Sequence, residues 1–112
     1  MAVNDDLMEK QAALRIIQQT LSAQEILIKE IIVFGSRARG DYHKESDWDF
    51  LVVTDQDLSF KEKHQLIIQI KRRLAKSGIP NDIIIQSRTK FNTMKHHPGS
   101  ISYVANLEGI PG

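Results

Sequence analysis

Cysteine is absent from the 112-residue chain, which excludes disulfides and thiolate metal sites and fits a reducing compartment. No apolar run approaches the ~20 residues that a membrane-spanning helix needs. The opening MAVNDDLMEK lacks the basic residues and apolar stretch of a secretory signal, so the expected location is the cytoplasm. Excess charge of one sign is missing too. A formal charge of +1 leaves no field that would favour bulk nucleic-acid binding. Repeats and low-complexity segments are absent. The length allows one core, so residues 1–112 are expected to form one domain, with any second function supplied by a partner.

The most informative stretch is IIVFGSRARGDYHKESDWDFLVV, from Ile31 to Val53. Four large apolar residues, Ile31 to Phe34, followed at once by glycine predict a short strand buried on both faces. Gly35-Ser36 breaks it, and Ser36 to Arg39 can make one helical turn before Gly40-Asp41 ends it. Tyr42 to Ser46 is polar and expected to be exposed. A second strand is expected over Asp47 to Val53. Alternation puts Asp47 and Asp49 on one face, with Leu51 and Val53 continuing it inward and Trp48 and Phe50 pointing the other way.

Before this stretch, Asn4 is a good N-cap, and Leu7, Leu14, Ile17 and Leu21 predict a helix from about Asp5 to Leu21. Ser22 to Lys29 fits either a helix extension or a lead into a strand. After it, Ser59-Phe60-Lys61-Glu62 is a capping box, and Phe60, Ile67, Ile70 and Leu74 form an apolar stripe that ends at Gly78. Asp82 to Ile85 reads as a third strand. Arg88 to His97 is expected to be a loop with at most a short helical turn. Ile101, Val104, Ala105 and Glu108 suggest a last helix closed by Gly109. The predicted class is α+β, a small mixed sheet with helices packed against it.

Two like charges on one strand face repel unless a cation sits between them. Three carboxylates without cysteine make an oxygen-donor site suited to Mg²⁺ or Mn²⁺ rather than zinc. A lone Gly-Ser is usually a plain turn. Here it precedes the acids by a short gap, and a glycine turn lets a phosphate approach backbone N–H groups. Magnesium sites commonly combine a few carboxylates with substrate phosphates, so both features point to phosphoryl or nucleotidyl transfer.

Phe34-Gly35-Ser36, a ten-residue gap, then Asp47-Trp48-Asp49-Phe50 resembles the signature of the DNA polymerase β-like nucleotidyltransferase superfamily. GSRARGD with SDWDFLVV is similar to its one-domain members, the minimal nucleotidyltransferase proteins. The likeness covers most of the chain, from the first helix through Leu107-Glu108-Gly109. It implies the polymerase β palm-like fold, two Mg²⁺ ions bridged by Asp47 and Asp49, a third catalytic ligand at Asp82, and triphosphate held by Gly35 and Ser36. It also implies ATP as donor, AMP as the transferred group, and a helical HEPN-type partner protein in a toxin–antitoxin pair. Family members often continue from such a Glu-Gly into one more short strand ending in an aromatic residue, whereas this sequence stops at Gly112.

Arg37 and Arg39 follow the turn closely enough to touch triphosphate, against the blander reading that both are solvated. Asp41 reads as a turn former, and Lys71, Arg72, Arg73 and Lys76 as cations at a helix C-terminus. His64 reads as a histidine packed at the core's rim, and His96-His97 as solvated. No acceptor-binding module is evident, so the acceptor is expected on another chain, and self-association stays open. The alternative function is a non-catalytic antitoxin or nucleotide-binding scaffold that sequesters a partner. A small-molecule nucleotidyltransferase is disfavoured by the missing acceptor module.

Overall fold

The computed structural model describes residues 5–112, so the expected cap at Asn4 lies outside the described residues. The elements follow the order α1 (Asp5–Ser22), β1 (Ile28–Phe34), α2 (Ser36–Arg39), β2 (Trp48–Thr54), α3 (Phe60–Lys76), β3 (Asn81–Ser87), α4 (Arg88–Met94), α5 (Ile101–Glu108) and β4 (Ile110–Pro111). The four strands form one mixed sheet in the order β3-β2-β1-β4. β1 is antiparallel to β2 and to β4, while β2 and β3 run parallel. A parallel pair needs a crossover, and α3 supplies it.

Alternation along the central strands sorts the core into two layers. Ile31, Val33, Trp48, Phe50 and Val52 face α1 and α3, which contribute Ala13, Ile17, Leu21, Leu66, Ile70 and Leu74. Ile32, Phe34, Leu51 and Val53 face α4 and α5, where Phe91 and Ala105 complete a smaller cluster. The face carrying Asp49 thus runs inward into the second layer.

Several boundaries differ from the sequence expectation. The ambiguous stretch becomes a turn in which Glu25 takes a positive φ of 60°, and β1 begins at Ile28. Asp47 lies just before β2 instead of opening it. Ile110–Pro111 adds a fourth strand beside Ile32 and Val33. The expected loop after Arg88 is a helix, because the Ser87 side chain accepts from the Lys90 N–H and Phe91 buries itself in the core. On α1 the buried line is Ala13, Ile17 and Leu21, whereas Leu7 is exposed. Phe60 is 83% exposed and stacks on exposed His64, so the buried stripe of α3 does not include Phe60. β3 is the edge of the sheet, and Phe60 and His64 line a hollow there with Ile67 of α3 and Ile83 to Ile85 of β3. Among the described residues no helix is long and apolar enough to cross a membrane.

Candidate active site at the β1–α2 turn

The end of β1 and the starts of β2 and β3 meet in one row across the sheet. Phe34 pairs with Asp49, and Asp49 pairs with Asp82. Residues paired across adjacent strands project to the same face, so the Asp49 and Asp82 carboxylates are neighbours. Asp47 precedes them on the polar connection and is exposed.

Gly35 turns the chain out of this row with φ 75° and ψ −158°. A Cβ there would lie 2.0 Å from Asp49 Oδ2, so the carboxylate packs directly against the bare α-carbon. That contact, together with a positive φ, is the physical reason position 35 takes glycine. Ser36 opens α2, and its hydroxyl has no protein partner among the described residues. A free hydroxyl beside a carboxylate held on a glycine turn is the arrangement expected where polyphosphate and cation bind together.

The electrostatics report crowding. The Asp49 carboxyl is pushed above the ordinary aspartate range, first by burial, then by the charges of Asp82 and Asp47, with Arg39 opposing and Glu108 adding to the rise. A divalent cation would relieve that repulsion, and the donor set of Asp47, Asp49 and Asp82 is all carboxylate oxygen, so the residues fit Mg²⁺ or Mn²⁺ by chemistry. As the side chains lie, no group of three acidic or histidine residues among those described stands close enough to enclose an ion.

Two further side chains reach the site that sequence reasoning missed. Glu108, at the end of α5, accepts the Gly35 N–H at 2.9 Å and a hydrogen bond from Arg39 Nη1 at 3.1 Å. Lys71 Nζ lies 3.7 Å from Asp82 Oδ1 and also donates to the Asn81 carbonyl. Neither has a local signal, since Glu108 lies 73 positions from Gly35 and Lys71 sits among helical cations that look solvated.

The two arginines separate. Arg39 stays at the site mouth, half exposed, paired with Asp41 and Glu108. Arg37 does not reach the phosphate turn. Its side chain is 1% exposed and paired with Asp6 at 2.9 Å, on the Trp48 side of the sheet. The expected phosphate contact is corrected on that point, because four of its five N–H donors are taken by Asp6, Lys44 and Ser46 on the side of the sheet away from Asp49.

The fold is that of a small α+β domain with a row of acids at one end of its sheet, and similarity to known proteins places it more narrowly. The sequence model of the nucleotidyltransferase domain family matches residues 14–104, and the chain belongs to that family. A Methanocaldococcus jannaschii protein carrying the name putative protein adenylyltransferase is 43% identical over 65 residues, which cover 58% of this chain and 60% of the relative. Among solved structures, a Sulfolobus solfataricus protein described as a putative nucleotidyltransferase superposes with a TM-score of 0.59 at 20% identity, covering 98% of this chain and 87% of that one. A Shewanella oneidensis complex described as a tri-AMPylated HEPN toxin with its MNT antitoxin gives a TM-score of 0.54 at 13% identity, over 95% of this chain and 70% of that one. These likenesses establish the shared fold.

Proposed function

We propose that the chain is a Mg²⁺-dependent nucleotidyltransferase that moves AMP from ATP onto a hydroxyl of a partner protein, a HEPN-type helical protein in a toxin–antitoxin pair. The observation that carries this reading is the contact of Asp49 with Gly35 beside Asp82. The relative's name and the toxin complex of the structural neighbour support the reaction and the partner. Cytoplasm, where ATP is available, is the compartment in which we set it.

In this reading Asp47, Asp49 and Asp82 would hold two Mg²⁺ ions, which would supply Lewis acidity toward the phosphates and toward the attacking hydroxyl. Gly35 and Ser36 hold the β and γ phosphates, and Arg39 exchanges its carboxylate partners for triphosphate oxygen. The acceptor oxygen forms a bond to the α-phosphorus, the bond from that phosphorus to the β-phosphate oxygen breaks, and pyrophosphate leaves. Asp82 takes the hydroxyl proton.

A second reading is a nucleotide-binding scaffold or antitoxin that sequesters its partner without chemistry. It is favoured by the internal partners that already occupy the site, Glu108 on the Gly35 N–H and Lys71 on Asp82. Incubation with α-labelled and γ-labelled ATP, Mg²⁺ and the product of the neighbouring reading frame separates the two. Label from the α position alone on the partner, lost in Asp47→Asn and Asp49→Asn, is the expected result. A double variant that still silences the partner, with no label transferred by the wild type, would establish the scaffold instead.

A further inference from the structure

Asp49 and Asp82 are set by strand register, but Asp47 lies outside β2, at the end of the polar connection 41–47, where no ladder fixes it. The connection has few internal ties. His43 and Ser46 bond to each other through the Ser46 N–H and the Ser46 hydroxyl. Arg37 joins it to the body of the molecule at its Asp47 end, while Asp41 pairs with Arg39 at the other. The Arg37 Nε and Nη2 donate to the Ser46 carbonyl at 3.3 and 3.0 Å, and Nη2 also donates to the Lys44 carbonyl at 3.3 Å. Nη1 donates to Asp6 of α1 at 2.9 Å, with Glu9 3.9 Å from Nη2. The guanidinium plane is held between the Tyr42 ring at 4.5 Å and the Trp48 ring at 4.7 Å. The Tyr42 hydroxyl bonds Asp6, and the Trp48 indole bonds Glu9 at 2.9 Å.

The Ser46 carbonyl belongs to the peptide that carries Asp47. A planar fork with donors on three nitrogens holds two carbonyls and a carboxylate in fixed directions while its faces meet two rings, whereas an ammonium has three rotatable donors on one nitrogen and no such face. We propose that Arg37 is a positioning residue that sets the Asp47 carboxylate against Asp49 by clamping the connection to α1 and Trp48. The inference rests on the proposed role of Asp47 as a cation ligand. Its structural half, the clamp, is separately measurable.

The test uses the full chain with Arg37→Lys, which keeps the charge and loses the fork, and Tyr42→Phe, which loses only the hydroxyl bond to Asp6. Hydrogen exchange is followed at residues 43–48 and, as an internal control, in β1 and β3. Mn²⁺ binding is followed by electron paramagnetic resonance in the presence of ATP. Arg37→Lys is expected to speed exchange at 43–48 while the control strands keep their protection. Its Mn²⁺ affinity falls about tenfold, the usual scale for losing a residue that orients a ligand. Adding Asp47→Asn to Arg37→Lys then costs little more, and Tyr42→Phe shows the same pattern more weakly. Unchanged exchange at 43–48 overturns the proposal. So does a uniform loss of protection with Mn²⁺ affinity per folded molecule unaltered, which would make Arg37 a stability residue only. If wild type takes up no Mn²⁺, the metal role of Asp47 and the ligand-setting half fall together, while the exchange comparison still decides the clamp. Should Arg37→Lys fail to fold, Tyr42→Phe decides both measurements.

Discussion

An alanine at position 35 would have its Cβ 2.0 Å from Asp49 Oδ2 and would keep a φ of 75° that L-residues disfavour. Both effects act together, so Gly35→Ala is expected to cost about 1–3 kcal/mol in urea unfolding and to abolish ATP binding in a titration. Asp49 leads to the opposite expectation for stability. Its carboxyl is raised in the fold by burial and by Asp82 and Asp47, so ionisation works against the native state. The native advantage of the protonated form is complete below the unfolded pKa and is lost as pH rises through the folded one. Without divalent metal at neutral pH, Asp49→Asn is therefore expected to melt higher than wild type, by a few degrees in calorimetry, while losing cation binding. A lower melting temperature for this variant at neutral pH would contradict the repulsion described.

At the scale of elements, α3 begins with a complete capping box, Ser59 accepting the Glu62 N–H and Glu62 accepting the Ser59 N–H. The backbone and side-chain bonds from Ser59 hold the Glu62 carboxyl below its ordinary range. That contribution is present above the unfolded pKa and fades as pH falls through the folded one. Ser59→Ala is expected to cost about 1 kcal/mol by chemical denaturation. Nucleotide affinity should stay unchanged, since the box lies at the end of α3 opposite Lys71. The box was readable because every residue of it lies within four positions. Helix α4 was not, because its anchor, Phe91, depends on an apolar layer formed by β1 and β2. The stripe on α3 was read partly wrongly for a related reason. Period alone puts Phe60 beside Ile67, and only the tertiary structure shows that Phe60 sits beside the edge strand, where it stays exposed.

For the whole molecule, two core layers share one sheet, so unfolding is expected as one cooperative transition. Mg²⁺ with ATP at a hundredfold excess over Kd would add about 2.7 kcal/mol. In a chain of this size that raises Tm by on the order of 10 °C. A thermal-shift assay with Mg²⁺, ATP and both together checks this, and the Asp47→Asn, Asp49→Asn double variant should show no shift. A rise with ATP equal in the double variant would move the nucleotide away from the proposed site.

The sequence by itself determined the strand, glycine turn and second strand from Ile31 to Val53, and the capped α3. These are local matters, decided by alternation, helix period and turn chemistry over a few residues. Tertiary structure decided which side chains meet. It set Asp82 beside Asp49 through parallel pairing, brought Glu108 and Lys71 to the site, and parted two arginines only two residues apart, sending Arg37 between Tyr42 and Trp48 and leaving Arg39 at the mouth. Lateral neighbours follow from strand order and helix placement, which no local pattern encodes.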